Sequence, residues 1–140
     1  MIRRIALFAW LSFVAGCTYY DLHDVGAKFV ARSLRDAGME VIYLGPFQTS
    51  ASIVNATLEE GPDVVAISSI SGEYKPYVRE IVRDMKDQAL DPLLIVGGLV
   101  PPGDKQELLS LGVDAVFGQG SAMDDIIGFL RQAAAERRAK

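Results

Sequence analysis

The 140-residue sequence predicts an α/β domain built on a doubly wound, five-stranded parallel sheet in the strand order 2-1-3-4-5. Three observations carry that expectation. Short apolar runs alternate along the chain with stretches whose apolar residues recur at helical spacing. Glycine or proline punctuates most junctions, and no low-complexity linker breaks the alternation. With 50% hydrophobic and 23% charged residues, the chain has enough apolar material for one core and too little length for two, so residues 1–140 are expected to form a single domain.

The first strand is the apolar run 5–15, continuous as befits a central parallel strand covered on both faces. A helix over 25–37 follows, with Phe29, Val30, Ser33 and Leu34 on one face and Gly38 as its left-handed stop. Residues 39–44 form the second strand. Gly45-Pro46-Phe47 turns the chain, Thr49 or Ser50 caps a helix running to Glu60, and Gly61-Pro62 ends it. The third strand is 63–68, and the small-residue loop Ser69-Ile70-Ser71-Gly72-Glu73 leaves it. A helix over 74–88 turns Tyr77, Val78, Ile81, Val82 and Met85 inward. The fourth strand is 93–96, Gly97-Gly98 opens its exit loop, and Pro101-Pro102-Gly103 prolongs that loop until Asp104 caps a short helix to Leu111. Gly112 stops it. Residues 115–117 are the fifth strand, Gly118-Gln119-Gly120-Ser121 its exit loop, and 123–138 the last helix.

Charge and cysteine usage exclude several classes. The balance of 14 basic and 18 acidic residues, a net charge of −4, does not suit a phosphate backbone, so no nucleic-acid partner is expected. Arg131, Arg137, Arg138 and Lys140 read as a solvated helix end. The single cysteine excludes an internal disulfide, and nothing demands an oxidising compartment. Met1-Ile2-Arg3-Arg4, the apolar run and Val14-Ala15-Gly16-Cys17 have the look of a bacterial lipoprotein signal, but cleavage before Cys17 would delete the first strand. The run is also short for a membrane span. The strand reading is preferred, with no membrane partner and a cytoplasmic location expected.

In a sheet of this order, ligands bind at the carboxyl ends of the strands near the switch point. The loops after strands 1, 3, 4 and 5 therefore converge on one crevice. The loop after strand 1 holds the only histidine, His23, in Asp21-Leu22-His23-Asp24-Val25-Gly26. A carboxylate two residues earlier is placed to hold one ring nitrogen, which fixes the metal-binding tautomer and raises ligand basicity. One histidine cannot build a zinc site, whereas a metal already held in a macrocycle needs only one protein ligand. Alone, each element is weak: a serine ends many strands, and Gly-Gly is usually a turn.

The joint spacing is specific. With 41 residues between Gly26 and Ser68, and 26 between Ile70 and Gly97, the chain reads D-x-H-x-x-G, S-x-I, G-G. This resembles the cobalamin-binding domain of the adenosylcobalamin-dependent mutases and methionine synthase, whose fold is flavodoxin-like, over residues 7–130. Gly45-Pro46-Phe47-Gln48-Thr49, Ile67-Ser68-Ser69-Ile70, 96–102 and 116–121 are most similar to the acyl-CoA mutases of the methylmalonyl-CoA mutase family. The resemblance implies that His23 is the lower axial ligand of cobalt, displacing the cofactor's dimethylbenzimidazole, with Asp21 on the other ring nitrogen. It further implies that Gly26 lets the first helix approach the displaced tail, that Ser68 hydrogen-bonds it and Ile70 packs on it, and that Gly97 and Gly98 leave it room. Gly118, Gly120 and Ser121 would line the phosphoribosyl part. Physics agrees with small residues and one polar partner here, since a buried unmet acceptor costs roughly 1–3 kcal/mol.

The implied function is the cobalamin-binding small subunit of an adenosylcobalamin-dependent acyl-CoA mutase, an isomerase whose acyl-CoA substrate is held by a separate large subunit of TIM-barrel type. The rearrangement implied is of the methylmalonyl-CoA to succinyl-CoA kind, with hydroxyisobutyryl-CoA and isobutyryl-CoA mutases as close competitors. The alternative is a non-catalytic corrinoid carrier for methyl transfer or a cobalamin-responsive regulatory module. A phosphorelay receiver would need an acidic residue ending strand 3 and a lysine after strand 5, where Ser68 and Gly118 stand. The chain departs from the acyl-CoA mutase pattern at Ile70, usually leucine, at Cys17, often a lysine supporting the carboxylate, and at Tyr19 and Tyr20, usually smaller and polar.

Overall fold

In the computed structural model, residues 12–17, 25–69, 74–118 and 120–139 are described. Runs rich in Val, Ile and Leu give the strands β1 (Ser12–Cys17), β2 (Glu40–Tyr43), β3 (Val64–Ser69), β4 (Leu93–Gly98) and β5 (Ala115–Gly118). Between and after them lie α1 (Val25–Asp36), α2 (Ser50–Glu60), α3 (Tyr74–Asp87), α4 (Lys105–Leu111) and α5 (Met123–Arg138). A 3-10 turn over Pro102–Asp104 precedes α4. All strand pairings are parallel and the order is β2-β1-β3-β4-β5, so β2 and β5, four residues each, form the edges. Parallel pairing puts the carboxyl ends of all five strands on one rim.

Alternation along each strand sorts the core into two layers. Val64, Leu93 and Ile95, with Ala66, Ala115 and Phe117, pack on Ala31 and Leu34 of α1 and on Ile126, Leu130 and Ala134 of α5. Val65, Ile67, Leu94 and Val96 pack on Ile53 and Val54 of α2, on Val78, Ile81 and Met85 of α3, and on Leu108 of α4. Both layers are closed, with Leu34, Ile53, Val64, Val65, Ile81 and Leu130 fully buried.

Local signals set the helix limits. Thr49 caps α2, its hydroxyl accepting the Ser52 amide at 3.1 Å, and Gly61 closes it in the left-handed region with its amide on the Thr57 carbonyl.

Several expectations are corrected. The inward face of α1 is Ala27, Val30, Ala31 and Leu34, while Phe29 is 61% exposed and the Ser33 hydroxyl turns back to the Phe29 carbonyl at 2.9 Å. At about 100° per residue, Phe29 stands roughly 200° round from Ala27, and the alanines let the helix approach the sheet closely. Gly97 and Gly98 do not open a loop: they are the last two residues of β4, in register with Ser68 and Ser69 on one side and with Phe117 and Gly118 on the other. Likewise β3 runs on to Ser69 and β5 includes Gly118. Asp104 stands at the N-cap of α4 without capping it through its side chain. Of the first expected strand, residues 12–17 are described, and Cys17 extends it beyond Ala15. Residues 12–17, the described part of that segment, pair with β2 and β3 on the two sides. No described helix is long and apolar enough to cross a membrane.

Candidate functional site

On the rim formed by the strand ends, the register places Cys17, Ser68, Gly97 and Phe117 in one row across β1, β3, β4 and β5. Ser68 and Gly97 belong to the α1/α5 face, because Val64 and Ala66 precede Ser68, and Leu93 and Ile95 precede Gly97, at steps of two. Ser68 is half-buried, and its hydroxyl has no hydrogen-bond partner among the described residues. Beside it Gly97 contributes no side chain, and a Cβ there would lie 3.3 Å from the Phe117 carbonyl oxygen. Ser68 and Gly97 thus set one hydroxyl beside a position with no side chain, a recess only in the sense of a missing side chain in that face. This is the surface a flat aromatic group needs: room made by absent side chains and one polar partner.

Gly98 does something different. Its φ of +108° and a built Cβ only 2.1 Å from the Ser69 carbonyl oxygen leave no space for any side chain. The Ser69 carbonyl accepts the Leu99 amide at 2.9 Å, so the chain leaves β4 folded over the end of β3. Gly98 shapes the rim by tying two strand ends together, on the face opposite the recess.

The remaining predicted residues divide. Gly26, in the first turn of α1, is exposed with open space where a Cβ would stand. Gly118 ends β5, and Gly120 has a φ of +85° in the turn that follows. The Ser121 amide and hydroxyl both reach the Gly118 carbonyl, at 3.2 and 2.8 Å, which closes that turn and leaves the hydroxyl's lone pairs as its free acceptor capacity. Asp21, His23 and Ile70 lie outside the described residues.

The sequence reading missed a polar cluster on the same rim. The Tyr74 hydroxyl, on a side chain 2% exposed at the start of α3, donates to Asp104 Oδ2 before α4. Lys75 bridges Asp104 at 2.9 Å and Glu107 at 2.8 Å, and Arg79 meets Glu107 at 3.3 Å. Burial, then the bond to Asp104, pushes the Tyr74 phenol up to about 12. The bonds from Tyr74 and Lys75 hold the Asp104 carboxyl below its usual range, and bonds to Glu107 and Asp104 raise the Lys75 ammonium. Thirty residues separate Tyr74 from Asp104, so no local pattern announces the pair. A second missed feature is the turn after β2, where Phe47 holds a φ of +62° and is 49% exposed. Gln48 brackets that turn: its side-chain Nε2 donates to the Leu44 carbonyl at 2.8 Å, and its backbone carbonyl accepts the Tyr77 hydroxyl at 2.6 Å.

Two surface concavities among the described residues lie elsewhere. One runs between α2 and α3 beside Ala51, Asn55, Asp84 and Gln88, and another lies near Met85, Leu90, Pro92 and Gly112. Neither is lined by Ser68 or Gly97. Ser68 and Gly97 stand on the described sheet, while 18–24 and 70–73, which carry Asp21, His23 and Ile70, lie outside the described residues.

Comparison with known proteins agrees with the architecture. Residues 11–127 match the B12 binding domain family. The chain is 40% identical over 108 residues to the pivalyl-CoA mutase small subunit of Xanthobacter autotrophicus, covering 76% of this chain and 72% of that protein. It is 38% identical over 121 residues to the 2-hydroxyisobutanoyl-CoA mutase small subunit of Aquincola tertiaricarbonis, covering 86% and 89%. Ethylmalonyl-CoA mutase of Cereibacter sphaeroides is 38% identical over 129 residues, which cover 89% of this chain and 20% of that longer protein. Among solved structures, a cobalamin-binding protein from Desulfitobacterium hafniense shares the fold with a TM-score of 0.76 at 23% identity, covering 88% of this chain and 58% of that one. With the rim geometry and the match across 11–127 taken together, the chain belongs to the B12-binding domain family.

Proposed function

We propose that this chain is the cobalamin-binding small subunit of an adenosylcobalamin-dependent acyl-CoA mutase, active with a separate large subunit that holds the acyl-CoA. The observation that carries the reading is extent. The chain aligns with most of two mutase small subunits, at 72% and 89% of their lengths, but with a fifth of a longer mutase. Which acyl-CoA is rearranged belongs to the large subunit in this reading. A cytoplasmic location and a single domain over 1–140 are part of the same proposal.

When bound, adenosylcobalamin supplies a cleavable cobalt–carbon bond, the starting point for a 1,2 carbon-skeleton rearrangement. The chain's own residues bind and orient. His23 is proposed as the lower ligand of cobalt, with Asp21 accepting from its other ring nitrogen and so increasing its electron donation. Ser68, whose hydroxyl has no partner among the described residues, would bond the free nitrogen of the benzimidazole, Ile70 would pack against the ring, and Gly97 would leave its space. Gly26 keeps the start of α1 bare along the tail, and Gly98 holds the rim in shape. Backbone amides around Gly118, Gly120 and Ser121 face the phosphoribosyl part.

The test is a titration of the purified chain with hydroxocobalamin and adenosylcobalamin, with paramagnetic resonance of the cob(II)alamin form on nitrogen-15-labelled protein. Superhyperfine coupling to a protein nitrogen, lost in His23→Ala, is the expected result. Retention of that coupling in His23→Ala would remove the ligand assignment.

A further inference from the structure

The chain is 23% charged, yet the loops that leave the strands at the rim are bare of charge. Among the described residues, 44–49 after β2, 99–103 after β4 and 120–122 after β5 contain no Asp, Glu, Lys or Arg. The other end of the sheet differs: Asp63, Asp91 and Asp114 stand in three of the four loops that lead from a helix into a strand. Depletion of charge on one side of a fold is the compositional mark of the centre of a protein–protein contact.

Two of these rim loops hold exposed apolar side chains in fixed positions. Phe47 is 49% exposed with a φ of +62°, a left-handed conformation that costs a bulky residue free energy. The turn around it is braced on every side. The Gln48 side chain donates to the Leu44 and Pro46 carbonyls at 2.8 and 3.3 Å and accepts the Ser52 hydroxyl at 2.8 Å. From α3, the Tyr77 hydroxyl bonds the Gln48 backbone carbonyl. Leu99, 45% exposed, leaves β4 with its amide on the Ser69 carbonyl at 2.9 Å, and exposed Pro101 and Pro102 follow it. A braced aromatic and a proline-stiffened leucine have little freedom left to lose on binding, which favours an anchor. Phe47 also stands apart from the Ser68 position, since it follows β2, which lies roughly 10 Å from β3 across β1.

We propose that Phe47 and Leu99 are the apolar anchors by which the rim docks onto the large mutase subunit, Phe47 being the stronger. The proposal rests on the small-subunit reading above. The occupant follows from the shared ligand: a cofactor bound at the rim has to meet an acyl-CoA held by the other chain, so that chain closes over the strand ends. The longer mutase of which this chain matches a fifth carries the matching segment and a much larger body in one polypeptide.

The experiment titrates the chain, loaded with adenosylcobalamin, against the mutase large subunit of the same organism. Hydroxocobalamin affinity and sedimentation of the free chain are measured alongside, and circular dichroism confirms that each variant is folded. Phe47→Ala is expected to weaken the complex about thirtyfold, the size of an aromatic hot spot, and Leu99→Ala less, with the corrinoid affinity of the free chain unchanged. Leu58→Ala, a similarly exposed apolar residue near the far end of α2, should leave the complex as tight as wild type. A complex undiminished in folded Phe47→Ala overturns the anchor and leaves the small-subunit reading standing. An equal fall in corrinoid affinity assigns Phe47 to the cofactor, and a wild-type homodimer lost in Phe47→Ala assigns it to a second copy; either overturns the docking. A wild-type chain that does not bind the large subunit overturns the small-subunit reading itself, and the anchors with it.

Discussion

Two adjacent glycines do opposite jobs at the rim. Gly98 is required by backbone geometry, so Gly98→Ala should lower stability by about 2–4 kcal/mol, read from urea unfolding, whether or not cobalamin is present. Gly97 has ordinary backbone and a near contact at 3.3 Å, so Gly97→Val should fold, lose affinity for cobalamin and keep affinity for cobinamide. Equal binding of both corrinoids by Gly97→Val would remove the tail recess. The pair was legible in the sequence as a motif, but its division of labour was not, because only the register with Ser68, Ser69 and Phe117 separates the two faces. Phe29 carries the converse lesson. Counted as an apolar residue it joins the core, yet the inward phase of α1 is set by Ala27 and Ala31, whose small side chains give little hydrophobic signal.

At the scale of elements, α3 and α4 are joined head to head by charge, and pH should reveal it. The Asp104 carboxyl is lowered in the fold from an ordinary 3.8, so its contribution is present above that value and lost as pH falls below it toward the lowered folded value. The Tyr74 phenol moves from 10.0 to about 12, so its contribution is complete below pH 10 and lost as pH rises from 10 to 12. Thermal melts across pH should therefore decline at both extremes. Asp104→Asn should flatten the acid side and Tyr74→Phe the alkaline side, and a variant that keeps the wild-type profile contradicts the pairing. Helix limits were readable here because capping is local: Thr49 and Gly61 bound α2 as their chemistry dictates. Strand ends were not, since β4 reaches Gly98 through its neighbours' hydrogen bonds, against glycine's own preference.

For the molecule as a whole, the sheet order was expected from the βα alternation and the usual topology of such sheets, and the structure adds a two-layered core in which each layer repeats at steps of two along the central strands. Truncating either layer should cost alike: Leu34→Ala on the α1/α5 side and Ile53→Ala on the other, both fully buried, should each lose about 2–5 kcal/mol in chemical unfolding. If the recess takes the cofactor tail, cobalamin at a hundred times its Kd should add about 2.7 kcal/mol of stability to the wild type. Asp21, His23 and Ile70, which lie outside the described residues, could be assigned from sequence only through their motifs, while Ser68 and Gly97 stand on the described sheet. The two short edges have a further consequence. Strands β2 and β5 offer only four residues each to an incoming chain, so the sheet is a poor template for strand-by-strand stacking and fibril growth. A protein so blunted at its flanks can leave its rim bare for a partner without inviting its own copies to add to the sheet.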